Sequence, residues 1–305
     1  MIDFKEYVRD RKPTDKIKIG LIELYSNGKE DVIMPFPMSP HPTYQPYTDH
    51  ADNTSKIIKS YIPNAEIHLV FNSFQGIKYL MDNDIKLVNI SLGGMALNSN
   101  YALAEKSFLV IAAGNDGDEG ENGMASIEKA CAVGAVNSSF IPQSYSSFGK
   151  GYVKTCAVTG LDIYTGKVLH GTSFAAPVVT ALIGQWYIWY FNQFGVYPTI
   201  AQSNDFIIKN SHDIFEDDWD LKTGYGIMRL PKQFNHKAIK LQQNNNVGKI
   251  VKIKENEPNT EEDINLMVTP FAINGRTVVG ASDIGDAFGI GRSWEQSTQN
   301  AIYVK

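Results

Sequence analysis

Residues 169–178 read LHGTSFAAPV, and this stretch decides how the rest of the chain is interpreted. Ser173 follows a Gly-Thr pair and precedes small residues and a long apolar run, which places it at the start of a helix. There its hydroxyl is exposed, and the positive end of the helix dipole stabilises a nearby anion. Such a position suits a nucleophile in acyl transfer. A serine at this place is also a common helix N-cap, so the stretch alone leaves both interpretations open.

Short apolar segments alternate with amphipathic segments upstream of Ser173. Strands are predicted at 18–24, 67–70, 87–91 and 108–113, and helices at 50–61, 74–82 and around 101–105. This alternation predicts an α/β fold with a mainly parallel sheet that is covered by helices on both faces. Active sites of such sheets lie beyond the carboxyl ends of the strands, where Glu23 and Asn115 fall.

Five segments, in the order found here, resemble the subtilisin-like serine proteases. They are LVNISLGG at 87–94, FLVIAAGNDG at 108–117, ACAVGAVNSS at 130–139, GTSFAAP at 171–177, and 207–230 with its TGYGIM sequence. The resemblance extends over about residues 16–234. It implies a three-layer fold with a mainly parallel central sheet, and a serine protease whose acid, histidine and serine follow one another in that order.

The resemblance assigns a role to each of four residues. Ser173 is the nucleophile and His50 the base, while the Asn115 side chain and the backbone N–H of Ser173 stabilise the oxyanion. Glu23 stands where the family has aspartate, and it is one methylene longer. Glutamate is the acid of other Ser–His hydrolases, so this departure is compatible with catalysis. Asp31, eight residues downstream, is the alternative acid.

The resemblance also predicts where a peptide binds. Ser91, Leu92 and Gly93 form a strand edge on which the substrate lies as an added strand, and Ala113 and Gly114 line the same groove. We therefore expect a peptide or protein substrate. No cofactor and no metal ion are expected. In particular, no calcium is expected between His50 and Ile67, because this segment is shorter than in relatives that carry a calcium-binding insertion there.

Departures from the family pattern keep a second function open. Ala-Asp-Asn follows His50 where the family has Gly-Thr and small residues. Together with Glu23, this departure is compatible with a pseudoprotease that binds peptides without turning them over. His170, three residues before Ser173, is the alternative to His50 as the base. The presence of both Asn115 and Ser173 favours the endopeptidase, because a binding module needs neither.

The composition is that of a globular protein: 43% of the 305 residues are hydrophobic and the net charge is −5. A pI near 5.7 argues against nucleic acid as a partner, which requires a basic surface. Cys131 and Cys156 lie in apolar runs and are expected to be buried thiols. The charged N-terminus lacks the apolar stretch of a signal peptide, so we expect a cytoplasmic protein without a large removable prosegment. The uncharged run 174–191 approaches the length of a membrane span, but Pro177 interrupts it, and we expect a buried helix and no membrane.

The C-terminal part is predicted to form a separate unit. Residues 241–262 contain polar stretches of low hydrophobicity and are interpreted as a linker between a protease domain, 1–240, and a small α+β domain, 263–305. Asn274-Gly275 lies between two apolar runs and predicts a two-residue hairpin.

A helix at 282–288 and a strand at 301–304 complete the expected small domain. It resembles the stalk domain related to the N-terminal domain of copper amine oxidases, but it lacks a cluster of metal ligands, so no copper site is expected. By this analogy the domain is expected to dock a protein partner.

Overall fold

The computed structural model describes residues 16–26, 31–38, 49–94, 96–119, 123–149, 153–160, 168–216 and 218–231, and the backbone of further strands between 235 and 278. The first sheet contains β1 (Lys18–Glu23), β2 (Glu66–Phe71), β3 (Leu87–Ile90), β4 (Phe108–Ala112), β5 (Cys131–Val136), β6 (Val153–Val158), β7 (Ser211–His212) and β8 (Ile227–Met228). The helices are α1 (His50–Tyr61), α2 (Phe74–Asp82), α3 (Asn98–Ala104), α4 (Thr172–Phe194) and α5 (Ile200–Asn210), with a 3₁₀ turn at Gly123–Ser126.

The strands of this sheet run in the order β2-β1-β3-β4-β5-β6-β8-β7. Neighbouring strands from β2 to β8 are parallel, and β7 pairs with β8 in the antiparallel direction. Strands β1, β3, β4 and β5 are buried along almost their whole length, which is why they read as continuous apolar runs. The predicted α/β class with a mainly parallel sheet is confirmed.

Helices cover both faces of the sheet, and two glycines reveal the arrangement. A Cβ added to Gly20 of β1 would lie 3.1 Å from the Leu80 side chain of α2. A Cβ added to Gly184 of α4 would lie 3.6 Å from the side chain of Ile19, the neighbouring residue of β1. Because successive strand residues point to opposite faces, α2 and α4 lie on opposite sides of β1. The fold therefore has three layers, and α4 packs against α1 and against β3 to β6.

The longest helix, α4, is the core helix predicted from the uncharged run. Its mean hydropathy of 1.2 over 18 residues is compatible with a membrane span by length and composition, but 89% of that window is buried inside the protein. The helix ends at Gly195, whose φ of 69° is the left-handed conformation typical of a residue that terminates a helix. The expectation of a buried helix is confirmed.

Both cysteines are buried inside the sheet. Cys131 of β5 and Cys156 of β6 are free thiols, as predicted. Burial raises the pKa of Cys131 to about 12 and that of Cys156 still further, so both stay protonated near neutral pH. Within the described ranges, no group of three or more His, Cys, Asp or Glu residues could hold a metal ion.

The chain divides into two compact units, Met1–Leu230 and Pro231–Lys305. The second unit contains an antiparallel sheet of β9 (Asn235–Leu241), β10 (Val247–Lys254) and β11 (Thr260–Asn265), and a pair of β12 (Phe271–Ile273) with β13 (Arg276–Val278). In that pair, Ile273 is opposite Arg276. This is the register of the hairpin predicted around Asn274-Gly275.

The segment 241–262, predicted as a linker, differs from the structure. It contains β10 and the beginning of β11, and the first unit ends at Leu230 rather than at 240. The sequence VGKIVKIK of β10 is half β-branched, which favours a strand, but the polar stretches on either side concealed this signal. The helix at 282–288 and the strand at 301–304 lie outside the described residues. The stalk-like domain and its docking role therefore stay predictions.

Candidate active site

Three strand ends and two helix starts bring the predicted residues together. Because β1, β3 and β4 are parallel neighbours, Glu23, Ser91 and Asn115, which end or follow these strands, lie at the same edge of the sheet. His50 is the first residue of α1, and Ser173 is the second residue of α4, which packs against α1. Residues separated by up to 150 positions in the chain thus meet at one edge.

The Glu23 carboxylate faces the imidazole of His50. Its Oε1 and Oε2 lie 2.9 and 3.0 Å from Nδ1. The side chain of Glu23 is 2% exposed and that of His50 20%, so this pair is largely shielded from water. An ionised carboxylate can only accept hydrogen bonds, so Nδ1 carries the proton and Nε2 is left as the basic nitrogen.

The pKa of His50 reflects two opposing influences. Burial alone would lower it, because a low dielectric disfavours the charged imidazolium. The negative charge of Glu23 and the hydrogen bond to it act in the opposite direction and prevail, so the pKa of His50 lies above its ordinary value of 6.5. Glu23 therefore stabilises the protonated imidazole, which is the state that a general base reaches after it accepts a proton.

Ser173 lies half-buried in the first turn of α4. The helix starts after Gly171, whose φ of 121° is a conformation that favours glycine. The Ser173 hydroxyl donates to the carbonyl oxygen of Ser91 at 3.2 Å. The next side chain, Phe174, lies 5.1 Å from the His50 imidazole between ring centroids, so the serine segment and the histidine adjoin. Because a hydroxyl has one proton, Ser173 must release the Ser91 carbonyl before it can donate to a base.

Pro177 creates a second link between Ser91 and Ser173. It lies inside α4 and lacks the N–H that would bond to the Ser173 carbonyl four residues earlier. The Ser91 hydroxyl donates to that carbonyl instead, at 2.7 Å. Ser91 Oγ also accepts from Asn89 Nδ2, and Asn89 Oδ1 accepts from Thr180 Oγ1, each at 2.9 Å. These three side chains are fully buried, so a continuous chain of hydrogen bonds fixes the backbone of the serine.

Replacing Ser91 with alanine is expected to lower the free energy of unfolding by about 1–3 kcal/mol, because the part-buried Ser173 carbonyl loses its donor and the buried Asn89 amide loses its acceptor. Urea unfolding at constant pH measures this loss. Ser60→Ala is the matched control, since the hydroxyl of Ser60, an exposed residue, also donates to a helix carbonyl, that of Ile57. A change of about 0.5 kcal/mol or less is expected there. Equal losses in both variants would contradict the role given to Ser91.

Asn115 is exposed, three residues after the end of β4, and is held by the first residue of α4. Its Oδ1 accepts from the Thr172 backbone N–H at 2.8 Å and from Thr172 Oγ1 at 3.1 Å. A backbone N–H can only donate, so this contact fixes which end of the amide is oxygen and leaves Nδ2 as a donor. The N–H of Ser173, in the first turn, has no carbonyl partner within the helix. Two N–H donors are thus available at the start of α4.

The predicted peptide-binding residues have different environments. Leu92 is half-buried and Gly93 exposed, and no atom lies within 4 Å of a Cβ added to Gly93, so the backbone after β3 is open. Ala113 is buried, and its N–H bonds to a carbonyl of β5 at 3.0 Å. Gly114 donates its N–H to Thr172 Oγ1 at 3.1 Å, and its carbonyl oxygen, also 3.1 Å away, shares the single hydroxyl proton of Thr172 with Asn115 Oδ1. Of this set, the backbone at Leu92 and Gly93 is the open part.

The two alternative candidates are engaged elsewhere. Asp31 is fully exposed, and its carboxylate pairs with Lys59 at 3.5 Å. His170 is also exposed, and its ring lies against Gly160, where an added Cβ would be 2.9 Å from Cε1. The carboxylate–imidazole pair described above is the one that adjoins the serine segment.

Three buried polar side chains at this site were missed in the sequence analysis. Thr54 lies one helical turn after His50 and contacts the Glu23 carboxylate, and Asn89 and Thr180 belong to the network beside Ser91. The spacing of four residues between His50 and Thr54 was a usable signal, because such residues share a helix face. For Asn89 and Thr180 the signal was a polar residue within an otherwise apolar element.

The sequence of this chain is similar to those of known proteases. The sequence model of the subtilase family matches residues 52–226. Thermitase from Thermoactinomyces vulgaris is 36% identical over 121 residues, which are 36% of this chain and 43% of thermitase. Proteinase T from Parengyodontium album is 38% identical over 108 residues, which are 32% of this chain and 36% of proteinase T. The matched part thus spans less than half the length of these curated relatives.

Solved structures show the same architecture at low sequence identity. A cold adapted subtilisin-like serine proteinase is similar with a TM-score of 0.58 and 17% identity, over 71% of this chain and 89% of that one. A lanthipeptide protease is similar with a TM-score of 0.56 and 17% identity, over 70% of this chain and 85% of that one. These likenesses confirm the subtilisin-like fold. Since the family model matches more than half of the residues, the chain belongs to the subtilase family.

Proposed function

We propose that the chain is a serine endopeptidase that hydrolyses peptide bonds through Glu23, His50 and Ser173. The observation that carries this proposal is the part-buried hydrogen bond of 2.9 Å between Glu23 and His50, beside a serine in the first turn of a helix. The subtilase family membership and the protease names of the relatives support it further. A buried acid that raises the pKa of an adjacent histidine is a common device for activating a serine hydroxyl.

In the proposed first step, Ser173 Oγ attacks the carbonyl carbon of the scissile peptide bond while its proton passes to His50 Nε2. Glu23 holds the imidazole with its proton on Nδ1 and stabilises the imidazolium that forms. The protonated His50 then donates to the leaving amine, and the C–N bond breaks to give an acyl-enzyme. A water molecule, deprotonated by His50, releases the acid product and restores the serine.

The proposed oxyanion site consists of Asn115 Nδ2 and the backbone N–H of Ser173. The support for Asn115 is the pair of contacts from Thr172 to its Oδ1, which orient the amide before any substrate binds. Preorganised donors of this kind stabilise the charge that develops in the transition state without a cost of reorganisation. The positive end of α4 adds to this effect.

Substrate binding and serine activation are coupled in this proposal. A peptide laid as an added strand along the open backbone after β3 brings N–H donors toward the Ser91 carbonyl. That carbonyl is the resting acceptor of the Ser173 hydroxyl. Competition from the peptide N–H would release the hydroxyl, which then donates to His50. A bound peptide thus favours the active orientation of the hydroxyl, which the free enzyme also reaches by rotation of the Ser173 side chain.

We also propose that the enzyme acts on peptides or proteins in the cytoplasm. Free, buried cysteines are compatible with a reducing compartment, although they do not require one. A protein partner of the second unit stays a prediction from the sequence.

Labelling with a fluorophosphonate tests the proposed function directly. The reagent forms a bond between phosphorus and an activated serine oxygen, and fluoride leaves. One adduct per chain is expected, and peptide mapping should locate it on Ser173, whereas urea-unfolded protein should not react. An adduct at another serine, or a folded protein that does not label over hours at neutral pH, would contradict the proposal.

A folded chain that does not label would favour the pseudoprotease. The observation in favour of that alternative is the resting bond from Ser173 to the Ser91 carbonyl, which keeps the hydroxyl proton away from His50. Such a protein would bind a peptide along the same strand edge and release it unchanged. Peptide binding measured by calorimetry, with no product seen by mass spectrometry, would identify it.

The acid limb of the pH–rate profile is expected to lie above pH 6.5. His50 must be neutral to act as a base, and its pKa is raised above 6.5 because Glu23 outweighs the effect of burial. Activity should therefore fall as the pH drops through this raised value. The pH dependence of the labelling rate of the free enzyme measures the limb. A limb at or below pH 6.5 would show that burial outweighs the effect of Glu23 on His50.

A further inference from the structure

Thr54 is the second group that contacts the Glu23 carboxylate. It lies on α1 one turn after His50, and its Oγ1 is 3.2 Å from Glu23 Oε1. Thr54 is fully buried and Glu23 nearly so. The threonine and the histidine therefore approach the same carboxylate from one face of one helix.

The buried carboxylate needs more than one donor. An ionised carboxylate offers about four acceptor sites, and the imidazole supplies a single N–H that both oxygens share. At 2% exposure, Glu23 has little access to water. A buried charge without enough hydrogen bonds is costly, so a second donor at Oε1 has a clear physical function.

The Thr54 hydroxyl has other acceptors within reach. The carbonyl oxygens of His50 and Ala51 lie 3.0 and 2.9 Å from Oγ1. Both carbonyls belong to the first turn of α1, where the helix itself supplies N–H donors four residues later. The Glu23 oxygen carries a negative charge, and hydrogen bonds to charged acceptors are about twice as strong as neutral ones. The Thr54 hydroxyl therefore donates its hydrogen bond to the Glu23 carboxylate in preference to either carbonyl.

We propose that Thr54 is a positioning residue, whose hydroxyl holds the Glu23 carboxylate with both oxygens facing His50. The inference rests on the proposed endopeptidase function. It explains how a glutamate, with one more rotatable bond than an aspartate, is kept in a single orientation. Thr54 acts through Glu23 and does not touch the substrate.

Three variants test this role: Thr54→Val, which keeps the shape and removes the hydroxyl, Thr54→Ser, which keeps the hydroxyl, and Ser55→Ala as a control. The buried hydroxyl of Ser55 has no hydrogen-bond partner among the described residues, so its loss should leave the rate unchanged. Fluorophosphonate labelling rates are measured across pH for each variant. The pKa of His50 is followed in parallel by NMR of the imidazole, which does not require activity.

Thr54→Val is expected to lower the labelling rate about tenfold, which is the size expected for one lost bond to a charged group, and Thr54→Ser should restore most of it. The acid limb and the NMR pKa of His50 should both move to lower pH. The reason is that a carboxylate no longer held toward the imidazole stabilises the imidazolium less, while burial still lowers the pKa of His50. In a Glu23→Ala background, Thr54→Val should have no further effect.

Two results would overturn the inference while the wild type still labels. One is a Thr54→Val enzyme with the rate and acid limb of the wild type. The other is the same fold loss with Glu23 present or absent, which would mean that Thr54 only supports the helix. A wild type that never labels overturns the proposed function instead. In that case an NMR pKa of His50 unchanged by Thr54→Val would overturn the positioning role separately.

Discussion

Replacing Ser173 with alanine is expected to lower kcat for a chromogenic peptide amide about 2 × 10⁶-fold. This is the loss that removal of the nucleophile causes in subtilisin, another member of the family. The physical reason is that the hydroxyl of Ser173, in the first turn of α4, is the proposed nucleophile, and the adjacent Phe174 contacts the His50 ring. Activity remaining above the uncatalysed rate would come from Asn115 and substrate binding alone.

The loss should not increase when His50 is removed as well. His50→Ala is expected to be as inactive as Ser173→Ala, and the double variant should match either one, because the two groups act as a unit. His170→Ala is the matched control, since that histidine is exposed and packs against Gly160. It should keep the wild-type rate. The assignment of the base would be contradicted if the loss of kcat in the double variant were the product of the two single losses, or if kcat fell strongly in the control.

The sequence predicted those parts of the fold that depend on local pattern. The helices at 50–61 and 74–82 have the predicted bounds, because a turn residue precedes each and the apolar residues follow helical spacing. The strands at 87–91 and 108–113 were found within one residue for the same kind of reason. The roles of Glu23, His50 and Ser173 as acid, base and nucleophile were then inferred from the family resemblance.

Contacts between distant segments could not be predicted in the same way. The bond from Ser91 to the Ser173 carbonyl joins residues 82 positions apart and exists because Pro177 leaves that carbonyl without its helical donor. The contact of Thr54 with Glu23 depends on how α1 lies against the end of β1. Periodicity gives the face of a helix but not the partner of each polar side chain on it.

In the second unit, amino-acid composition led to a wrong prediction of secondary structure. Polar stretches around 241–262 suggested a linker, yet this range contains paired strands. Antiparallel strands need only part of their residues to be apolar, because one face of such a sheet can remain in water. A segment rich in lysine and β-branched residues can therefore form a strand even though its average composition resembles that of a linker.

The second large effect is expected at the acid. Glu23→Ala should lower kcat about 10⁴-fold, because the imidazole loses both its orientation and its counter-charge. Glu23→Asp keeps the charge but withdraws it by one methylene, and a misplacement of about 1 Å costs roughly 100-fold. Asp31→Asn is the matched control, because that carboxylate is exposed and pairs with Lys59. It should leave kcat unchanged.

The pH profile separates the acid from a merely structural residue. Without Glu23, burial is the remaining influence on the pKa of His50, and it lowers that pKa. The acid limb of Glu23→Ala should therefore move to lower pH while the maximal rate falls, a combination that loss of folded protein cannot produce. A 10⁴-fold loss in Asp31→Asn with a modest loss in Glu23→Ala would transfer the acid role to the loop. If instead Glu23→Asp were faster than the wild type, the extra methylene of glutamate would be what slows catalysis. The Thr54 hydroxyl would then reduce this loss by holding the longer side chain in place.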